Sequence, residues 1–119
     1  MSIDEIIQQR IEKTEYQDEQ ILRMESLYFL DQFIIEYDYY DNKNVELLFK
    51  SCFQINFSHY VHYSKDINYK DDAAKVPYWL QDIKVSHEND LLKFTINAFP
   101  LNLVILCKDI EIRYKEKDI

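Results

Sequence analysis

Side chains able to do chemistry are few in this chain and poorly spaced for it. His59 and His62 stand three apart in a stretch that alternates like a strand, which puts them on opposite faces, and no third ligand follows at a zinc spacing. No metal site is expected. Asp71 and Asp72 are adjacent acids in a polar stretch, where carboxylates are solvated; general acid/base work needs one of them desolvated or held against a partner. A serine, His59 and an acid could be combined on paper into a triad, but no nucleophile motif supports it. Glycine is absent altogether, where average usage would give roughly eight in this length. That absence excludes the P-loop, the dinucleotide GxGxxG turn, the GxSxG elbow and the EF-hand loop, which all need a backbone only glycine allows. No catalytic residue, cofactor or metal is assigned, and the chain reads as a non-enzymatic protein.

The elements that would position any site are easier to read. Ser2 with Glu5 three residues on is a capping box, and Ile3, Ile6, Ile7 and Ile11 follow at helical spacing. Ile21, Leu22, Met24 and Tyr28 return to the same side, so residues 1–30 read as helical: one long helix, or two joined near Thr14 across the polar stretch Glu12 to Gln20. Phe33, Ile35, Tyr37 and Tyr39 then alternate with polar residues at the period of a strand. Asp41 to Asn44 reads as a hairpin loop, because with no glycine the tight turns fall to Asn and Asp, which tolerate positive φ. Alternation resumes at Val45, Leu47 and Phe49 and continues past Ser51 to Phe57. The run is either one long, bent strand, which a bulge at Ser51 and Cys52 would reconcile with ordinary strand lengths, or two strands that break near Ser51.

Residues 64–75 are polar and irregular and read as a mobile loop, and Pro77 forces Val76 into an extended or turn conformation. Strands are expected around Ile83 and Val85, from Leu92 to Ala98, and from Leu103 through Tyr114, the last apolar on both faces at its start, as a central strand is. Cys52 and Cys107 sit inside strand patterns and read as small buried hydrophobes. The expected fold is α+β, a single domain over residues 1–119. It has a helical segment 1–30 and a mainly β part 31–119, an antiparallel meander sheet of five or six strands with the N-terminal helix packed on or beside it. A small β-sandwich with a helical appendage is the alternative.

Charge is distributed unevenly. The first forty residues hold ten acids against three bases, and the remaining 79 hold twelve against eleven. Direct nucleic-acid binding is disfavoured, since it rests on cations that neutralise phosphates. A basic protein partner, such as a toxin or nuclease, is one reading of the acidic end, with Glu12, Glu15, Asp18 and Glu19 on its polar turn as the steering charges; a solvated face that keeps the protein soluble is the other. The longest apolar run, Leu103 to Cys107, is far short of the roughly 20 residues a membrane span needs, and the acidic start is unlike a signal peptide, so cytoplasmic residence is expected.

Tyrosine is abundant, and Tyr37, Tyr39, Tyr40, Tyr60, Tyr63, Tyr69, Tyr78 and Trp79 lie in or beside the strands and the long loop. Tyrosine supplies contact area with a polar tip at interfaces, though it also favours strands. The loop around Tyr69, Asp71 and Asp72, with Tyr78 and Trp79 at its end, is therefore a second candidate recognition surface, against the plainer reading of Trp79 as a core plug. The order of an N-terminal helical segment, Leu27-Tyr28-Phe29-Leu30-Asp31 leading into an Ile-rich strand, and later Leu-Lys-Phe-Thr-Ile and Ile-Glu-Ile strands resembles small bacterial immunity-type proteins of polymorphic toxin systems. That resemblance implies a cytosolic, non-enzymatic protein that neutralises a cognate toxin by binding it. A small-molecule-binding module or a structural interaction domain is the alternative from another class.

Overall fold

In the computed structural model, residues 1–59 and 78–117 are described. Helix α1 (Ile3–Glu12) is followed by strands β1 (Ile21–Leu27), β2 (Gln32–Tyr39), β3 (Lys43–His59), β4 (Trp79–Glu88), β5 (Leu91–Phe99) and β6 (Leu101–Glu116). The six strands make one open antiparallel sheet in the order β1-β2-β3-β6-β5-β4. Two three-stranded meanders, β1-β2-β3 and β4-β5-β6, are thus joined along β3 and β6, the two longest strands. The α+β sheet with an N-terminal helix is as the sequence predicts.

Residues 21–30 are not helical, and here the structure corrects the sequence reading. The helix stops at Glu12, capped at Lys13, and Ile21–Leu27 pairs with β2. Ile21 and Met24 are spaced as on a helix, but a register shift between Ile21 and Arg23 lets both reach the core from a strand. Arg23 and Glu25 alternate with them on the outer face, the period-2 signal that the apolar residues masked.

A ten-residue helix is marginal on its own and needs a surface to pack on. Ser2 caps α1 by accepting the Glu5 backbone N–H, and Ile7 and Ile11 are buried, an effect of about 1.5–3 kcal/mol each. The helix also completes the outer edge of β4. The Gln8 side-chain amide donates to the Ile83 carbonyl (2.7 Å) and accepts from the Val85 N–H (2.8 Å), standing in for a neighbouring strand. The buried Tyr16 hydroxyl accepts the Ile83 N–H (3.0 Å), and the Glu19 carbonyl accepts the Leu80 N–H (2.9 Å). An edge that could pair with another chain is occupied by the protein's own N-terminal segment.

Phe33, Ile35 and Tyr37 of β2, Val45, Leu47 and Phe49 of β3, and Phe94, Ile96, Leu103 and Ile105 form the core, joined by Tyr16. Ser51 sits at φ 52° and the register slips between Cys52 and Gln54, so β3 is one strand through a bulge and not two strands. Two turns meet the expectation that Asp and Asn replace glycine, with Asp41 and Asn42 at φ 56° and 59° and Asn89 at φ 56°. The β1–β2 turn does not: Tyr28, Phe29 and Leu30 all take positive φ, held by the Asp31 N–H on the Tyr28 carbonyl (3.1 Å). A left-handed conformation costs an L-residue roughly 1–2 kcal/mol, and the flanking strand ladder imposes it. Among the described residues no helix is long and apolar enough to cross a membrane.

Candidate functional site

The polar residues after α1 form a strap across one end of the sheet. Thr14, fully buried, donates to the Ile11 carbonyl (2.5 Å), which uses its only hydroxyl proton; the contact with the Tyr37 hydroxyl (2.6 Å) is therefore donated by Tyr37. Burial drives the Tyr37 phenol well above its ordinary range, so it stays neutral and keeps that bond. Thr14 and Tyr16 are pinned inward, and Glu12, Glu15 and Asp18 between and beside them are forced outward into solvent. The strap then runs along the start of β4. The Asp18 N–H donates to the Leu80 carbonyl (2.7 Å), the Ile21 N–H to the Tyr78 carbonyl (2.7 Å), and Gln20 bridges Trp79.

The acids of the strap and the residues at the head of β4 are thus brought together, as the sequence alone did not show. Trp79 is 39% exposed and flanks the strap instead of plugging the core, while Tyr78 is half-buried with its hydroxyl 3.0 Å from His59 Nε2. Tyr69, Asp71 and Asp72, and with them His62, lie outside the described residues.

Residues of the β2–β3 turn complete the site. Glu15, Glu19, Asp38, Tyr39, Tyr40 and Thr14 line a cleft of about 40 Å³, far below the roughly 300 Å³ of a small-molecule pocket. Its rim is the useful part. Tyr40 is 61% exposed and packs tilted against Tyr39 at 5.1 Å between centroids, with the neighbouring Glu15 carboxylate pushing its phenol up; Tyr39 packs edge-on against Tyr114 at 4.9 Å. Burial and then the neighbouring Asp38 charge push the Glu19 carboxyl up, with Lys117 only partly offsetting them. Lys117 is itself ion-paired with Asp38. Residues 12–19 carry four acids and a single base, Lys13, so this end holds negative charge that its own cations do not neutralise. Asp38 was not among the residues singled out by sequence; it joins the site through the strap's return to the end of β2.

A second group of acids behaves differently. Arg23, Glu36, Glu46 and Arg113 stand in one row across β1, β2, β3 and β6. Glu36 and Glu46 are 6% and 5% exposed, yet Arg23 reaches both, at 2.9 Å and 2.8 Å, and Lys115, Arg113 and Asn44 add further contacts. Burial raises the Glu36 carboxyl, but the hydrogen bonds from Asn44 and Arg23 and the charges of Lys115 and Arg23 outweigh it, leaving it below its ordinary value. Among the described residues no group of three or more His, Cys, Asp or Glu side chains could hold a metal ion.

The family described as immunity protein PIM7 matches residues 3–114, nearly the whole chain. The chain belongs to that immunity protein family. No curated protein matches it. For an immunity protein the role is inhibition by binding a protein partner, a toxin. A surface of exposed acids and tyrosine at one end of a rigid sheet has the chemistry for such contact: tyrosine offers area at low entropy cost, and carboxylates offer strong acceptors to Lys and Arg.

Proposed function

We propose that this immunity protein neutralises a basic toxin, such as a nuclease, by binding it through the strap and the β2–β3 turn, and that it has no catalytic activity of its own. The observation that carries the reading is the crowding of Glu15, Glu19 and Asp38 beside exposed Tyr40, where burial and then the Asp38 charge push the Glu19 carboxyl up despite Lys117. A toxin's Lys or Arg placed there would relieve that repulsion. Tyr40 and Trp79 would be the large contacts and Glu12, Glu15 and Asp18 the steering charges, so the effect falls chiefly on the association rate. Cytoplasmic action is part of the same proposal.

The test is the rate of association with the cognate toxin across a salt series. Wild-type association is expected to slow about tenfold or more from low to high salt, and the variant carrying Glu12→Lys, Glu15→Lys, Asp18→Lys and Glu19→Lys to be slow even at low salt. An unchanged rate at low salt leaves the acids only a solubilising role. Protection that saturates at one molecule per toxin is expected of an inhibitor, whereas protection by far fewer molecules than toxin would reveal turnover.

A further inference from the structure

We propose that Cys52 and Cys107 form a reversible dithiol–disulfide pair across β3 and β6, a modification site for small-molecule disulfides of the glutathione disulfide class. The two residues are direct partners in the antiparallel ladder, so their side chains lie on one face. Directly opposed residues have Cα atoms about 4.5–5.5 Å apart, inside the roughly 4.4–6.8 Å window a disulfide spans without backbone movement. Each thiol donates to a backbone carbonyl of its own strand, Cys52 Sγ to Phe49 (3.5 Å) and Cys107 Sγ to Asp109 (3.4 Å), and neither is bridged to another cysteine. The bulge gives the site local freedom: Ser51 is left-handed, Phe53 is the extra residue, and both are exposed beside Cys52.

The two thiols are not equivalent. Cys52 is partly exposed and Cys107 fully buried. The neighbouring Cys107 side chain holds the Cys52 thiol below its usual range, against burial and the Asp31 charge, whereas the Cys52 side chain and burial push Cys107 up. Cys52 is thus the attacking sulfur and Cys107 the resolving one. The Cys52 thiolate attacks one sulfur of glutathione disulfide, breaking its S–S bond and releasing one glutathione thiolate, which takes up the proton Cys52 lost. Cys107 then gives up its proton and attacks the Cys52 sulfur of the mixed disulfide. The second glutathione leaves and takes that proton. Two protein thiols are oxidised to one disulfide, and glutathione disulfide is reduced to two glutathione molecules.

The test uses the folded full-length protein in glutathione redox buffers, with peptide mapping by mass spectrometry under non-reducing conditions. An intramolecular Cys52–Cys107 cross-link that forms without denaturant and is reversed by dithiothreitol supports the proposal. So does a Cys107→Ala variant that stops at a glutathione adduct on Cys52, while Cys52→Ser takes up none. Intermolecular dimers, a wild-type protein that accumulates only the Cys52 adduct, or cross-linking that needs urea would each overturn it. If Cys107→Ala does not fold, the wild-type map decides alone.

Discussion

Glu36 and Asp38 stand two residues apart on the same face of β2, yet they belong to opposite electrostatic regimes. Glu36 lies in a row where Arg23, Arg113 and Lys115 surround two buried carboxylates. Asp38 lies at the strand's end among Glu15 and Glu19, with Lys117 as its ion-pair partner. Burial acts on Glu36 and Glu19 in the same direction, and the neighbours decide the outcome: Glu36 ends below its ordinary value and Glu19 above. Acids satisfied from within the chain hold the sheet together. Acids left crowded are the ones a cationic partner can satisfy.

The largest effect should come from breaking the satisfied cluster. Arg23→Ala leaves Glu36 and Glu46 buried without their shared fork, with Lys115, Arg113 and Asn44 as partial substitutes. A loss of about 2–4 kcal/mol in urea unfolding is expected. A loss under about 0.5 kcal/mol would mean that the cluster is as loosely held as the strap's acids, and the contrast would collapse.

Tyr16→Phe probes the other side. It strands the Ile83 N–H and loosens the strap from β4, for about 1–2 kcal/mol of stability. Because Tyr16 lies between Glu15 and Asp18, the same variant should also slow toxin association, which Arg23→Ala should leave alone once both proteins are folded. Equal slowing in the two variants would erase the distinction between structural and recognition acids.

The smallest effect is in pH, and the two regions should contribute with opposite signs. The folded-state value of Glu36 is depressed, so its stabilisation is present above the unfolded carboxylate value and is lost as pH falls through the lower folded one. That of Glu19 is raised, so its penalty is present at neutral pH and is relieved as pH falls through that raised value, before the Glu36 loss begins. Thermal scans of wild type and Glu19→Gln should differ at neutral pH, with the variant the more stable, and converge on acidification. A gap that widens with acid would reverse the sign assigned to Glu19.

Strand periodicity carried most of the architecture. Phe33, Ile35, Tyr37, Val45, Leu47 and Phe49 are inward as their alternation requires, whereas β3 reads from sequence as either one bent strand or two, and the ladder with β6 makes it one, with its register shift between Cys52 and Gln54. Residues 21–27 misled because Ile21, Leu22, Met24 and Tyr28 mimic a helical stripe, and β1 is an edge strand whose pairing with β2 is a long-range fact. Leu27 to Asp31 read as the passage from a helix into the first strand, not as a turn between two strands, and nothing in Tyr28-Phe29-Leu30 announces three left-handed residues. There the ladder on both sides overrides local preference, whereas at Asp41-Asn42 local preference and ladder agree.

By itself the sequence determined what depends on neighbours a few residues away: the capped helix start, the alternating faces of the strands, the Asp and Asn turns, the acidic bias of the first forty residues, and the absence of glycine-built active sites. Tertiary structure alone decided which acids share cations. Arg23 meets Glu36 and Glu46 because three strands fall into one register, and Glu15 and Glu19 meet Asp38 because the strap returns across the end of β2. Coulomb energy depends on distance in space, so acids alike in sequence, such as Glu36 and Glu19, come to differ in their cationic neighbours only once the sheet has formed.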